Sequence, residues 1–332
     1  MMQMAVAAGD TVGPFEVLAP LGRGAFSEAF KAKNRETGEL VVLKFPDPAI
    51  LGDLATYERF KRETEIGERL AHPNIQRVLG SGEGPSGPYL ILEYAEGDSL
   101  RHFLREHPQL PLAEALSITR QIASALEYAH DCGVFHRDVK PENLIYSPDG
   151  TIHVVDFGIA LLEGARRVTW RFLSSTMGTP DYMSPEQIEG KRGDGRSDLY
   201  SLGVILYELL AGRVPFPGDN ALSVMSQHVS APVPPLREFN RTVPESVERI
   251  TLKLLRKNPA DRYQTASQLL SDLAHYQELD LSRFVFEPEH VSVPMDSERR
   301  AMLIGLGIGV GFFVLAGLAI AITVVLQRSG MI

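Results

Sequence analysis

Residues 136–143 bring a carboxylate, a lysine and a side-chain amide into one short stretch, as Asp138, Lys140 and Asn143. Such a set can take the proton from a hydroxyl group while a metal-bound phosphate is transferred to the oxygen. Taken alone, Asp138 is as readily explained as a turn or helix-cap residue. The interpretation as a phosphoryl-transfer site therefore depends on the rest of the chain.

Two further motifs supply the groups that this chemistry needs. Lys44 ends the apolar run Val41-Val42-Leu43, and Asp156-Phe157-Gly158 follows the first segment. In this order the motifs resemble the eukaryotic-type protein kinase family, in its serine/threonine branch, and they look most similar to the bacterial membrane-anchored kinases. The resemblance covers roughly residues 15–276. It implies an α+β, bilobal protein-kinase fold, with a small β-rich lobe to about residue 94 and a larger helical lobe from about residue 98.

The resemblance also implies a reaction, which is transfer of the γ-phosphoryl group of ATP with Mg²⁺, or Mn²⁺ in its place. Asp138 is implied as the catalytic base, and Lys140 as the cation that neutralises the transferred group. Asn143 and Asp156 are implied as the magnesium ligands. Because negative charge spreads over the phosphoryl oxygens, these cations must be fixed in place before the reaction.

A glycine-rich stretch fits a cover over the ATP phosphates, because glycine lets the backbone approach phosphate oxygens without an intervening Cβ. The residues assigned to nucleotide contact in this stretch are Leu21, Gly22, Arg23, Gly24, Ala25, Phe26, Ser27 and Ala29. Two of them depart from the family's pattern. Ser27 stands where a third glycine is usual, and Ala29 stands where a valine usually packs on adenine, so we expect a slightly looser adenine contact.

The remaining nucleotide contacts are implied at two other places. Lys44 would hold the α- and β-phosphates and pair with Glu63, for which Glu58 and Glu65 are rivals that the spacing disfavours. The hinge between the lobes is implied at Glu93-Tyr94-Ala95, where the backbone of Glu93 and Ala95 would contact adenine.

Lys140 and the segment 178–186 bear on the substrate, because in the family they accompany protein substrates with Ser or Thr hydroxyls. Thr179 would hydrogen-bond Asp138 and Lys140 and so position the substrate.

Three further residues are implied as structural. Glu186 would pair with an arginine, for which Arg262 is the best candidate, and Asp198 would brace the catalytic loop. His136 would support Phe157 and the loop backbone.

Arg137, beside the base, suggests regulation, because a crowded arginine needs an anionic partner. Four hydroxyls lie between Asp156 and Glu186, and a phosphate on one of them would carry about −1.5 to −2 charge and could order the segment against Arg137. These candidate sites of autophosphorylation are Thr169, Ser174, Ser175 and Thr176. At least two of the four are expected to be ordinary loop hydroxyls.

The bulk composition bears on the expected partners and on the expected compartment. A net charge of −9 argues against a nucleic-acid partner, which normally requires a basic surface. The single cysteine, Cys132, can form no disulfide within the chain, so a reducing compartment is expected.

The C-terminal part predicts a membrane anchor. Residues 301–326 are uncharged and would extend about 39 Å as a helix, more than the ~30 Å hydrocarbon core. Residues 1–10, within an N-terminal extension of residues 1–14, lack the basic start of a signal peptide, so the kinase domain is expected in the cytoplasm. Residues 277–300 are expected as a juxtamembrane linker and residues 327–332 as a tail outside. Membrane lipid is thus an expected partner, and a homodimer is expected through the kinase domain or the glycines of the span, Gly305, Gly307, Gly309 and Gly311.

Strands and helices must position these chemical groups, and short apolar runs and helical periodicity predict where those elements lie. Strands are predicted at residues 15–18, 30–33, 40–44 and 89–94. Helices are predicted at residues 57–70, 112–126 and 198–210, the last one buried on most faces.

Two other classes of protein remain as alternatives. The first is a membrane-anchored, pseudokinase-like scaffold that binds nucleotide and partners without turnover, against which the presence of Lys44, Asp138, Asn143 and Asp156 argues. The second is a small-molecule kinase, which would not need the segment 179–186.

Overall fold

The computed structural model describes residues 6–23, 27–46, 67, 70–84, 87–157 and 180–284. A small lobe of strands precedes a larger lobe of helices, so the predicted bilobal architecture is confirmed.

An antiparallel sheet of six strands forms the small lobe in the described part of the chain. In spatial order these are β1 (Thr11–Val12), β2 (Phe15–Arg23), β3 (Ser27–Asn34), β4 (Leu40–Pro46), β6 (Gly87–Glu93) and β5 (Val78–Gly84). Apolar residues alternate with polar ones at the start of β2, so Phe15 and Val17 point into the core of this lobe. The register places Lys44 of β4 opposite Ala29 of β3 and Leu90 of β6.

Helices make up most of the larger lobe. The described α-helices are α1 (Leu100–Glu106), α2 (Leu112–Asp131), α3 (Pro185–Ile188), α4 (Gly195–Ala211), α5 (Ala221–Ser230), α6 (Glu245–Leu254) and α7 (Ala266–Ala274). Short 3-10 turns lie at Pro141–Asn143, Leu236–Glu238, Pro259–Asp261 and Leu281–Phe284.

Helix α4 is the centre of this lobe. Every residue from position 197 to position 210 is buried, as expected for a helix that is covered on all sides. The helix starts at the N-cap Asp194, whose side chain accepts a hydrogen bond from the Arg196 N–H, and it ends at Gly212, which has the positive φ of 74° that a glycine C-cap allows.

A small three-stranded sheet carries the ends of the candidate catalytic segments. Its strands are β7 (Asp98–Ser99), β8 (Leu144–Tyr146) and β9 (Ile152–Val154), in that order. Because Leu144 is opposite Val154, the residues just outside the hairpin also meet, and the Val155 N–H donates to the Asn143 carbonyl at 3.0 Å.

The predicted strands at 15–18, 30–33 and 40–44 and the helices at 112–126 and 198–210 are confirmed within longer elements. The strand predicted at 89–94 is confirmed up to Glu93, where β6 ends. Strand β5 was not predicted, because Gly80, Gly82 and Gly84 interrupt its pattern. Only residues 67 and 70 of the predicted helix at 57–70 are described.

The predicted span at 301–326 lies outside the described residues, as do the linker from residue 285 and the tail. Within the described ranges, no helix is both long enough and apolar enough to cross a membrane.

Candidate active site

The buried carboxylate of Asp198 holds the candidate catalytic loop through hydrogen bonds. Asp198 lies in the first turn of α4 with its side chain 1% exposed. Its oxygens accept hydrogen bonds from the backbone N–H of His136 at 2.9 Å and of Arg137 at 2.6 Å, and one of them lies 2.8 Å from His130 Nε2. The expectation that Asp198 braces the loop is confirmed.

These bonds hold a backbone that a non-glycine residue rarely adopts. Arg137 has a φ of 63°, in the left-handed region. A strained residue of this kind persists only when its surroundings fix it, and two hydrogen bonds to Asp198 together with one from Gln187 Nε2 to the Arg137 carbonyl at 2.9 Å provide that restraint.

Asp138, which follows this turn, is held by two neighbouring side chains. Lys140 Nζ lies 2.9 Å and 2.7 Å from its two carboxylate oxygens, and Asn143 Nδ2 donates to Oδ2 at 3.0 Å. The Asp138 side chain remains 43% exposed. A carboxylate paired with a cation and still open to solvent can receive a proton from a substrate that enters from the cleft.

His136 connects the loop to the segment that carries Asp156. Its Nδ1 accepts the Asp138 backbone N–H at 3.2 Å, so the ring proton lies on Nε2, which donates to the Val155 carbonyl at 2.9 Å. The imidazole also contacts the ring of Phe157 edge-on, at 4.7 Å between centroids. The structural role predicted for His136 is confirmed.

Lys44 of the small lobe and Asp156 of the larger lobe form an ion pair. Lys44 Nζ on β4 lies 2.5 Å from Asp156 Oδ1, and both side chains are largely shielded from solvent. Burial opposes ionisation of Asp156, but Lys44, with Lys140 nearby, outweighs it and holds the pKa of the carboxyl below its usual range. Asp156 is therefore held as an anion beside the candidate catalytic loop.

The pairing predicted for Lys44 stays a prediction. The sequence predicted Glu63, which lies outside the described residues together with Glu58 and Glu65, and the described partner is Asp156.

The donor set at this point fits a hard divalent cation. Asn143 and Asp156 lie at the adjacent ends of β8 and β9, and they offer an amide oxygen and a carboxylate. Among the described residues, no group of three or more His, Cys, Asp or Glu side chains could hold a metal ion. Mg²⁺ suits so sparse a set, because it usually keeps several waters and binds substrate phosphates through one or two protein oxygens.

The residues assigned to the phosphate cover are described in part. Leu21, Gly22 and Arg23 end β2, while Ser27 and Ala29 lie in β3, with Gly22 opposite Ala29. The space beside Gly22 is open, because an added Cβ would meet no other atom within 4 Å. Gly24, Ala25 and Phe26, between the strands, lie outside the described residues.

The hinge residues follow the end of β6. Glu93 is the last residue of that strand, and its N–H donates to the Arg77 carbonyl at 3.0 Å. Ala95 lies two residues later, and Ser147 Oγ donates to the Glu96 carbonyl at 2.6 Å, which fastens the chain beyond the hinge to the larger lobe.

The pairing of Glu186 with Arg262 is confirmed. The guanidinium donates two parallel bonds of 2.8 Å to the two carboxylate oxygens, and Ser197 donates a third at 2.6 Å. Although burial opposes ionisation, these bonds lower the pKa of Glu186. The pair fixes the segment just after the candidate substrate-positioning residue Thr179, which itself lies outside the described residues with Thr169, Ser174, Ser175 and Thr176.

One cluster of charged side chains near the site was not predicted from the sequence. Arg101 donates to Glu142 and to Glu208, each at 2.8 Å, and also contacts the hydroxyl of Tyr182. These partners come from three separate parts of the chain. No local pattern connects them, so only the fold could identify the cluster.

The chain is similar to known proteins over most of its length. The family described as "Protein kinase domain" matches residues 15–273. The serine/threonine-protein kinase PrkC of Bacillus subtilis is 36% identical over 261 residues, which are 79% of this chain and 40% of that protein. The serine/threonine-protein kinase PknB of Mycolicibacterium smegmatis is 38% identical over 296 residues, which are 87% of this chain and 46% of that protein.

A solved structure agrees with the fold. The crystal structure of the Mycobacterium tuberculosis PknI kinase domain superposes with a TM-score of 0.61 at 28% identity, and the match covers 82% of this chain and 100% of that one. The chain spans less than half the length of the two curated relatives.

Proposed function

The chain belongs to the protein kinase domain family, and on that premise we propose that it transfers the γ-phosphoryl group of ATP to Ser and Thr hydroxyls of proteins, as a serine/threonine kinase of class EC 2.7.11.1. The observation that carries this proposal is the contact of Lys44 with Asp156 at 2.5 Å, beside a loop in which Lys140 and Asn143 both bond to Asp138.

In this mechanism each residue has a separate task. Asp138 accepts the proton of the substrate hydroxyl, and the Lys140 ammonium contacts its carboxylate. Lys140 neutralises charge on the transferred group, and Lys44 holds the α- and β-phosphates. Asn143 and Asp156 would hold Mg²⁺, which, when bound, neutralises the phosphate oxygens.

The nucleotide would bind in the same cleft, against the strands of the small lobe. The strands β2 and β3, with Leu21, Gly22, Arg23, Ser27 and Ala29, cover the phosphates in this proposal, and the backbone of Glu93 and Ala95 contacts adenine. The antiparallel pairing of β2 with β3 and the open space at Gly22 support this arrangement.

Transfer of label from γ-labelled ATP to a generic basic protein tests the proposal, with phosphoamino-acid analysis of the product. We expect phosphoserine or phosphothreonine from the wild type, and a loss of about 10²–10⁴-fold in Asp138→Asn. Asp149→Asn is a matched control, because Asp149 is an exposed turn aspartate between β8 and β9. A wild type that binds ATP but transfers no label would favour a pseudokinase-like scaffold.

Autophosphorylation and its effect on Arg137 form a finer part of the proposal. The hydroxyls Thr169, Ser174, Ser175 and Thr176 are the candidate acceptors, and Thr179 is the candidate substrate-positioning residue. The support is the position of Arg137, which lies next to the candidate base in a fixed, left-handed turn. Mass spectrometry of protein incubated with ATP, with Lys44→Met as the inactive control, checks it. An active preparation with no phosphate on residues 169–176 would contradict it.

Membrane anchoring is proposed from the uncharged run at 301–326, with a homodimer through the kinase domain or the glycines of the span. The kinase domain would face the cytoplasm. We expect the full chain to resist carbonate extraction from membranes, and Gly307→Ile with Gly309→Ile to weaken association there. Quantitative release by carbonate would refute the anchor.

A further inference from the structure

The segment 74–77 lies between the two lobes and is bonded to both. On the side of the larger lobe, Asn74 Nδ2 donates to the Ile152 carbonyl at 2.8 Å and to Gln121 Oε1 at 3.0 Å. The Asn74 carbonyl also accepts the Val154 N–H at 2.8 Å. These bonds fix the segment against β9, the strand that leads to Asp156.

Within this segment, Gln76 alone reaches both halves of the candidate nucleotide site, among the described contacts. Its backbone N–H donates to the Val154 carbonyl at 3.0 Å, two residues before Asp156. Its side-chain Nε2 donates to the Glu93 carbonyl at 2.8 Å, at the hinge. Gln76 therefore connects the strand that presents the candidate metal ligand to the backbone that would contact adenine.

The chemistry of the bond suits a positioning role. A carbonyl oxygen has two lone pairs, so the Glu93 carbonyl can accept from Gln76 and still accept from an amino group of a base. The amide is uncharged, and it orients the carbonyl without changing the charge in the cleft. The Glu93 N–H donates to the Arg77 carbonyl at 3.0 Å. The consecutive residues Gln76 and Arg77 therefore hold the carbonyl and the N–H of Glu93.

We propose that Gln76 is a positioning residue for the nucleotide, which sets the Glu93 carbonyl for the purine amino group and keeps the hinge in register with Asp156. This inference rests on the proposed kinase function. It differs from a merely structural role, because it requires an effect on nucleotide affinity with little effect on turnover, on the protein substrate or on stability.

Two substitutions test it. Gln76→Met keeps the length of the side chain and removes the donor, and Gln76→Glu keeps the shape and presents an acceptor to an acceptor. The readouts are the KM for ATP, kcat, the KM for the protein substrate, the Kd of ATP by calorimetry and the melting temperature. Gln109→Met is the matched control, because Gln109 Nε2 also donates to a backbone carbonyl at 2.8 Å, that of Leu210 near the end of α4.

We expect Gln76→Met to raise the Kd and KM for ATP about three- to tenfold, the effect of one lost hydrogen bond. Gln76→Glu should raise them more. In both variants kcat and the KM for the protein substrate should stay within about twofold, and Gln109→Met should leave all of these values unchanged.

Two results would overturn this inference but leave the proposed function unaffected. One is a wild type that binds ATP with an affinity that Gln76→Met and Gln76→Glu leave unchanged. The other is a parallel loss of kcat, protein-substrate KM and melting temperature, which would identify Gln76 as a structural residue. A wild type that binds no nucleotide would overturn the inference and the proposed function together.

Discussion

Two ion pairs, one inside the larger lobe and one across the cleft, place opposite charges together in different surroundings. Arg262 and Glu186 form two parallel bonds of 2.8 Å, with side chains 0% and 9% exposed. Lys44 and Asp156 make a single contact of 2.5 Å across the cleft, with side chains 12% and 29% exposed. The first pair is buried and bonded at both carboxylate oxygens. The second is partly exposed, and among the described contacts it joins through one carboxylate oxygen.

The difference indicates what each pair can do. A sealed, bidentate pair fixes geometry, and removing one partner leaves a buried charge without compensation. A pair with one contact at the edge of a cleft can release either partner to a phosphate or a metal ion, because new oppositely charged groups replace the lost contact. We therefore expect Glu186 and Arg262 to serve stability, and Lys44 and Asp156 to serve chemistry.

The largest expected effect comes from the cleft pair. Lys44→Met should lower phosphoryl transfer by about 10²–10³-fold, because it removes a fixed cation from the developing charge. Its effect on stability should be smaller than that of breaking the pair of Arg262 and Glu186, because the Asp156 side chain is 29% exposed and keeps part of its hydration. Kinase assays and thermal melting of the same preparations measure both.

Lys191→Met is the control for that experiment, since Lys191 pairs with Glu189 at 2.7 Å on an exposed surface. A Lys44→Met protein that is strongly destabilised would break the distinction between the two pairs.

The buried pair should behave in the opposite way. Arg262→Met leaves Glu186 buried without its partner, and we expect a loss of about 3–5 kcal/mol in the free energy of unfolding. Urea denaturation measures it. The double change Arg262→Met with Glu186→Gln should recover part of the loss, because no charge then remains buried. A single variant as stable as the wild type would contradict the structural role.

Asp198 offers an intermediate case, because it is buried like Glu186 but bonds the candidate catalytic loop directly. Asp198→Asn keeps one oxygen and turns an amino group toward backbone donors, so we expect kcat to fall about ten- to a hundredfold. Asp272→Asn is the control, because Asp272 is also buried and accepts from the Tyr263 hydroxyl at 2.9 Å, in a different part of the lobe. Equal losses of activity in the two variants would show that burial, and not contact with the loop, is what matters.

The smallest effect is a dependence of stability on pH. The pKa of Glu186 is lowered from 4.5 in the folded chain, because Arg262 outweighs the cost of burial. The unfolded chain then binds the proton more readily, so this stabilisation is complete above about pH 4.5 and is lost as the pH falls through the folded pKa.

We expect Glu186→Gln to flatten the acid side of the stability curve, measured by denaturation at several pH values against a wild-type curve. An unchanged slope below about pH 4.5 would show that other carboxyl groups control acid unfolding.

Some elements could be predicted from the sequence because their signals are local. The loop with Asp138, Lys140 and Asn143 is contiguous, and its residues meet in the folded chain because the furthest two are five positions apart. Helix α4 was predictable from a long apolar run with a glycine at its end.

Other features were not predictable because their signals are not local. Strand β5 was not predicted, because its glycines interrupt the strand pattern. The fold explains one of these glycines, since a Cβ at Gly82 would lie 2.4 Å from the ring of Tyr89. That ring comes from the neighbouring strand β6, and the sequence of β5 does not contain the information.

The sequence by itself determined which groups are present for chemistry, and in which family they occur, because the motifs around Lys44, Asp138 and Asp156 are short and ordered along the chain. Only the tertiary structure decided which groups meet. Lys44 and Asp156 are 112 residues apart, and Gln76 meets Glu93 because the pairing of β5 with β6 places Val78 opposite Leu92. Contacts of this kind depend on how the lobes and strands pack, since a side chain's partner is fixed by position in space and not by position along the chain.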